Sequence, residues 1–137
     1  MKEVIYKPKR EIEILDEGYM GCLHYCIVSL GTHPCAYIEL PKEHKYYGKH
    51  YGDIDIWCHG GLTYSSEHGL LPKDDTNHKD GFWIGWDYSH LGDYAGYEEM
   101  FPKELRTGGK RWTTEEILVE VKDVAWQLLQ TEEENEI

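Results

Sequence analysis

Asp87, His90 and Asp93 recur at every third position in the stretch Trp83-Ile84-Gly85-Trp86-Asp87-Tyr88-Ser89-His90-Leu91-Gly92-Asp93-Tyr94. If the chain takes one helical or 3₁₀ turn after Asp87, its carboxylate and the His90 imidazole fall on one face. A carboxylate beside an imidazole favours the protonated ring and fixes its tautomer, which suits a general acid or base. The same oxygen and nitrogen donors suit a hard or borderline metal, with His59 completing the set from a neighbouring strand end. The plainer alternative is that Asp87 caps the turn and Asp93 is solvated.

A second cluster is Trp57-Cys58-His59-Gly60-Gly61-Leu62-Thr63-Tyr64-Ser65. Paired glycines after a strand admit positive φ and close backbone approach, and successive amides in such a turn can cradle an anion. Thr63 and Ser65 add hydroxyls. A tight turn in which His59 bonds only to main chain explains the same residues. A third cluster, Pro41 to Gly48, brings His44, Tyr46 and Tyr47 out of a strand on a loop, where the tyrosines either roof the core or join a pocket.

Both His59 and Asp87 stand where an expected strand ends. If those strands are neighbours, His59, Gly60, Gly61, Thr63, Tyr64, Trp86, Asp87, His90, Asp93 and His44 converge on one ligand-binding hollow. Flat aromatic walls with a few orienting polar groups are the usual make-up of a small-molecule site, and aromatic faces stack on bases. A small polar guest, nucleotide-like among others, suits such a place. No Lys or Arg lies between Lys49 and Lys73, so the countercharge for a phosphate must come from Lys42, Lys45, Lys79 or Arg111. The sequence holds no Walker loop, no Gly-x-Gly-x-x-Gly after a strand, no His-Glu-x-x-His and no Gly-x-Ser-x-Gly. Catalytic residues, cofactor and metal are left unassigned. Cys58 beside His59 is a poor nucleophile pair, because neighbours in a strand point to opposite faces.

The elements that must position these residues read as an α+β fold. Glu11-Ile12-Glu13-Ile14 alternates as a half-buried strand does, Glu17-Gly18 signals a turn, and Tyr19 to Leu30 is long and β-rich. Cys35 to Leu40 follows between Pro34 and Pro41, giving an antiparallel meander. Asp53 to Cys58 and Gly81 to Asp87 are further short strands, separated by a polar loop from Glu67 to Asp80 of the kind that often carries function. Thr113-Thr114-Glu115-Glu116 is a capping box opening an amphipathic helix whose Ile117, Val121, Val124, Ala125, Leu128 and Leu129 share one face. That stripe is expected to pack on the sheet, with 131–137 as a frayed tail. No repeat or linker divides residues 1–137, so one domain is expected.

Composition sets the outer limits. At 137 residues the chain is one domain's worth. Its 26 Asp+Glu against 14 Lys+Arg give a formal charge of −12, which argues against duplex nucleic acid and against an anionic membrane surface. Eleven Tyr and five Trp against two Phe favour half-buried surfaces and pockets over a plain core. No apolar run approaches the ~20 residues of a membrane span, and residues 1–10 lack a signal-peptide stretch, so a cytoplasmic chain with its four Cys reduced is expected. The thiols of Cys22, Cys26, Cys35 and Cys58 are read as small hydrophobes rather than zinc ligands.

His33-Pro34-Cys35-Ala36-Tyr37-Ile38-x-Leu40-Pro41, His59-Gly60-Gly61-Leu62-Thr63 and Trp83-x-Gly85-x-Asp87-x-x-His90-x-Gly92-Asp93, in that order, resemble a family of small uncharacterised proteins encoded by bacteriophages and prophages. The resemblance covers roughly residues 33 to 97. It departs at Trp86-Asp87-Tyr88, where the family often has Phe-Asp-Cys, so no cysteine role carries over. It implies a phage accessory protein of the host cytoplasm that interferes with a host system, and it assigns no catalytic roles. Three functions compete: a binder of a small polar ligand, a metal-assisted hydrolase using Asp87, His90 and His59, and an acidic module that engages a host protein. The binder is ranked first; oligomeric state and host target are not specified by the residues.

Overall fold

A computed structural model describes residues 13–29, 33–67, 81–88, 110 and 112–135. Five strands form one sheet: β1 (Glu13–Met20), β2 (Leu23–Ser29), β3 (Pro34–Leu40), β4 (Tyr64–Ser66) and β5 (Phe82–Asp87). Their order is β1-β2-β3-β5-β4, with every neighbouring pair antiparallel. One helix, α1 (Thr114–Asn135), packs across β1, β2 and β3, completing the α+β architecture. No helix among the described residues is long and apolar enough to cross a membrane.

The sheet is buried on both faces near its centre, which explains why β2 reads as a nearly unbroken apolar run. Towards α1, Leu23, Tyr25 and Ile27 of β2 join Ala36, Ile38 and Leu40 of β3 and Phe82, Ile84 and Trp86 of β5. Against them lie Ile117, Val121, Val124, Ala125 and Leu128, all buried, one stripe at 3.6-residue spacing. Removing each large aliphatic side chain from water is worth about 1.5–3 kcal/mol, so this layer dominates the fold. On the opposite face Cys26, Val28, Cys35 and Trp83 form a second, smaller cluster bordered by Tyr37 and Tyr64. Tyr37, Gly85 and Tyr64 occupy one cross-strand row there. The Tyr37 ring lies over Gly85 and meets Tyr64 edge-on, with centroids 5.3 Å apart; a Cβ at position 85 would overlap the ring.

The helix starts as its sequence predicts. Thr113 Oγ1 accepts from the Glu116 amide and Glu116 Oε1 accepts from the Thr113 amide, both at 3.2 Å. Lys110 Nζ reaches Glu116 Oε2 at 2.6 Å, and hydrogen bonding to Lys110 first, then to Thr113, holds the Glu116 carboxyl below its usual range. The far end differs. The helix continues past Gln130 to Asn135, because Glu132–Glu134 are good helix formers and Thr131 Oγ1 bonds back to the Gln127 carbonyl at 2.9 Å.

Two expectations for the strands need correcting. Glu17-Gly18 is not a turn: β1 runs through it, and the hairpin turns at Gly21-Cys22 instead. Asp53 to Cys58 is not a strand: a 3₁₀ turn (Tyr51–Asp53) precedes unpaired extended chain, and the strand lies later, at β4. Glu67 is the one described residue of the Glu67–Asp80 loop; the others lie outside the described residues.

Candidate functional site

The sheet distributes the sequence-nominated residues over two faces. Side chains alternate along β5, so Trp86 and the following Tyr88 point towards α1, while Asp87 points with Cys35 to the other side. Trp86 is 1 % exposed and its Nε1 donates to the Tyr88 hydroxyl at 3.0 Å. Tyr88 in turn donates to Glu120 Oε1 at 2.7 Å. His59 belongs to this side as well. Its ring stacks on Tyr88 at 4.9 Å, with Trp112 at 4.9 Å beside it, and its amide donates to Glu120 Oε1 at 3.1 Å. Burial, partly offset by the Trp86 bond and reinforced by Glu120, drives the Tyr88 phenol far above its ordinary range. Trp86, Tyr88 and Glu120 thus form a hydrogen-bonded joint between sheet and helix.

Gly60 and Gly61 do take positive φ, 68° and 83°, in the turn closed by the Gly61 amide on the Cys58 carbonyl at 3.0 Å. An anion does sit at this turn, but it is the chain's own Glu120, which accepts from the His59 amide. That carboxylate disfavours a phosphate there by like charge.

On the other face Thr63 and Asp87 come together: Thr63 Oγ1 donates to Asp87 Oδ2 at 3.3 Å, and the Thr63 amide bonds the Gly85 carbonyl at 2.9 Å. Tyr64 neighbours them through its contact with Tyr37. His44 joins neither group. It is 4 % exposed; Nε2 contacts the Leu128 carbonyl at 2.9 Å and Nδ1 accepts from the Tyr46 amide at 3.0 Å. Both ring nitrogens are committed to main chain, with the Nε2–H tautomer fixed by these partners, so His44 fastens its loop to α1. His90 and Asp93 lie outside the described residues, as do Lys79 and Arg111. Among the described residues no group of three or more His, Cys, Asp or Glu is arranged to hold a metal ion.

A different set converges on the helix-free face. His24 of β2 has Glu39 of β3 as its cross-strand neighbour and Glu17 of β1 diagonally across. Nδ1 lies 3.4 Å from Glu39 Oε1 and Nε2 lies 3.6 Å from Glu17 Oε2. Tyr19, 70 % exposed, stacks on the imidazole at 5.0 Å, and Trp83 meets the ring at a steep angle at 5.0 Å. Two clefts flank this group. One of about 480 Å³ is lined by Glu17, Gly18, Tyr19, His24 and Glu39. The other, about 280 Å³, is lined in part by Cys22, Lys42, Tyr47 and Gly81, and it shares His24 and Glu39 with the first. Glu39 is folded over Gly81, whose φ of 96° and lack of a Cβ let the carboxylate lie there. The signal for this site was the alternation Glu17-x-Tyr19 facing His24, visible only once β1 is paired through Gly18.

Comparison with protein-family models, with curated proteins and with solved structures finds no match to the chain.

Proposed function

We propose that this chain is a binding protein for a small polar ligand, taken up on the helix-free face of the sheet. The observation that carries the reading is His24 set between Glu17 and Glu39, with the exposed Tyr19 ring against it and open clefts on both sides. The larger cleft falls within the few-hundred-Å³ range of small-molecule sites, and its lining combines one flat aromatic surface with a few orienting polar groups. A nucleobase or nucleoside suits the Tyr19 ring better than a polyphosphate suits two carboxylates. The hydrolase reading is the weaker one, because His59 and Asp87 point to opposite faces of the sheet. In the setting that the family resemblance implies, the binder is a phage accessory protein that removes or senses a host metabolite.

Amide-detected NMR titration of the full chain with a panel of nucleosides, amines, amino acids and sugars tests this. The expected result is at least one member that shifts the resonances of 17–24 and 39 selectively and saturably. A folded protein whose resonances there respond to no member would overturn the reading.

A further inference from the structure

We propose that the outer side of α1, with Trp57 beside it, is a docking surface for a basic polypeptide segment. Arg side chains of that segment stack on the exposed indoles and pair with Asp55 and Asp123, while its apolar side chains cover Trp126 and Val119. The surface lies apart from the clefts of the helix-free face, so it stands or falls independently of the small-ligand reading.

The first argument is how Trp57 is held. Trp83 and Trp86 are buried, whereas Trp57 is 74 % exposed and Trp126 59 %. The Gln127 carboxamide takes both main-chain groups of Trp57: Oε1 accepts from the amide and Nε2 donates to the carbonyl, each at 2.8 Å. That clamp uses no atom of the indole, so the fold does not need a tryptophan at position 57. It does fix the backbone that carries the ring. A large, stiff aromatic side chain on a fixed backbone loses little freedom on binding, and tryptophan is enriched among the residues that dominate protein interfaces.

The second argument is continuity. Gln127 follows Trp126 in the chain, and its Nε2 also donates to Asp123 Oδ2 at 3.0 Å. Val119, 67 % exposed, and Trp126 stand two turns apart on α1, away from the buried stripe, with Asp123 between them. Along residues 54–58 burial alternates: Ile54 and Cys58 are buried and Asp55 and Trp57 exposed, so Asp55 shares the outward side with Trp57. Single exposed apolar side chains are normal on any protein. Here three are carried by one helix face and a segment clamped to it, and carboxylates rim them, which is the make-up of an interaction site.

Charge selects the occupant. On this side of α1 Glu115 and Asp123 are exposed acids and Lys122 an exposed base; with Asp55 the balance is acidic. A second copy of the chain would bring the same acids against themselves. The formal charge of −12 likewise repels nucleic acid and an anionic membrane. A basic polypeptide meets both the indoles and the carboxylates. Arg suits the place better than Lys, because its planar guanidinium stacks on an aromatic face and still donates a fork of N–H groups to a carboxylate. Among aromatic rings, tryptophan holds a cation best.

The experiment uses three synthetic peptides of equal length on the full chain: one built of Arg and Leu, one of Glu and Leu, one of Arg and Ser. Affinity is read from the indole N–H resonances of Trp57 and Trp126. The Arg/Leu peptide is expected to shift both indoles saturably, about tenfold more tightly than either of the others, and to weaken with added salt. Trp57→Gln and Trp126→Gln are each expected to weaken it about fivefold, and Asp55→Asn to flatten its salt dependence. Glu43→Gln, an exposed acid on another loop, leaves it unchanged. The substituted side chains are exposed, so the variants keep their fold, and the unshifted remainder of the spectrum checks it. Equal binding of the Glu/Leu peptide would reduce the surface to a plain apolar patch, and equal binding of the Arg/Ser peptide to plain charge; either overturns the proposal. So does an Arg/Leu peptide that leaves both indoles unmoved, or one whose binding survives both tryptophan variants. Self-association of the chain that the tryptophan variants abolish would make a second copy the occupant and overturns it as well.

Discussion

Tyr88 donates its hydroxyl proton to Glu120 at 2.7 Å while accepting from the Trp86 indole at 3.0 Å, and so joins the end of β5 to the middle of α1. All three groups sit at the interface between sheet and helix, and Trp86 and Tyr88 are essentially sealed from water. Replacing Tyr88 by Phe keeps the ring and its stacking on His59 but leaves the Trp86 N–H without its acceptor. An unsatisfied buried donor costs about 1–3 kcal/mol. Tyr88→Phe is expected to lose that much stability in urea unfolding, with the m-value unchanged. A variant as stable as the parent would mean the joint is ornamental.

Much of this architecture is readable in the residues. The capping box at Thr113, the stripe on α1 and the strands β3 and β5 follow from local chemistry that the tertiary fold leaves intact. Gly18 misleads for a specific reason. Glycine after Glu resembles a turn, but here it makes room for the Tyr25 ring, which crosses the neighbouring strand and donates to Asp16 at 2.9 Å. Residues 53–58 mislead for another. Their alternation resembles a strand, yet the Trp57 amide and carbonyl are both taken by the Gln127 side chain, each at 2.8 Å, so a helix side chain replaces a strand neighbour. The carboxylate–imidazole group at His24 was hidden behind the first of these errors, since it exists only in the correct β1–β2 register. The separation of His59 from Asp87 was hidden because sequence shows that both end near strands, not which face each one uses.

His44 separates a structural from a binding role. His44→Leu removes the partner of the Tyr46 amide and of the Leu128 carbonyl in a buried position. The Leu128 carbonyl keeps its place in the α1 hydrogen-bond ladder, but the Tyr46 amide is left unpaired at a cost of roughly 1–3 kcal/mol, so the variant is expected to melt below the parent. Any ligand found for the helix-free face should bind the folded fraction with unchanged affinity. A tenfold loss of affinity with unaltered stability would return His44 to the binding site.

Alkaline pH should weaken the fold. Burial pushes the thiols of Cys35 and Cys58 from an ordinary 9.0 up to about 12, and burial with help from Asp16 pushes the Tyr25 phenol from 10.0 up to about 12. Burial also raises Tyr37 and Tyr88 far above their ordinary range. These groups stay neutral in the folded chain but ionise in the unfolded one as pH passes their ordinary values. Unfolding therefore releases protons, and the stability they contribute is full below about pH 9 and lost as pH rises towards 12. Urea midpoints are expected to hold steady from neutral pH to about 8.5 and then fall steeply. A flat profile through about pH 11 would contradict the burial of these groups.

The same burial sorts the cysteines. Cys26, Cys35 and Cys58 are buried, whereas Cys22 is exposed at the β1–β2 turn. In the native protein one thiol of the four is expected to react quickly with an aromatic disulfide reagent, and the rest only at the rate of unfolding. Mass mapping should place the fast label on Cys22. Rapid labelling at Cys35 would show that the helix-free face opens in solution.

Gly81 gives the sharpest test of how that face is built. Its φ of 96° is a conformation that side-chain-bearing residues rarely adopt, and a methyl group there would occupy the position of the Glu39 carboxylate. Gly81→Ala must therefore both strain the entry to β5 and push Glu39 away from His24. The backbone term alone is about 1–2 kcal/mol. If the position served only the turn, Gly81→Ala would cost that stability and nothing else. If Glu39 is seated there to face a ligand, the variant also weakens binding of whichever panel member shifts 17–24 and 39, by roughly the same factor as Glu39→Gln, and the two changes combined lose little more than either alone. That non-additivity is the signature of two residues acting through one carboxylate. Fully additive losses would show that Gly81 and Glu39 act independently.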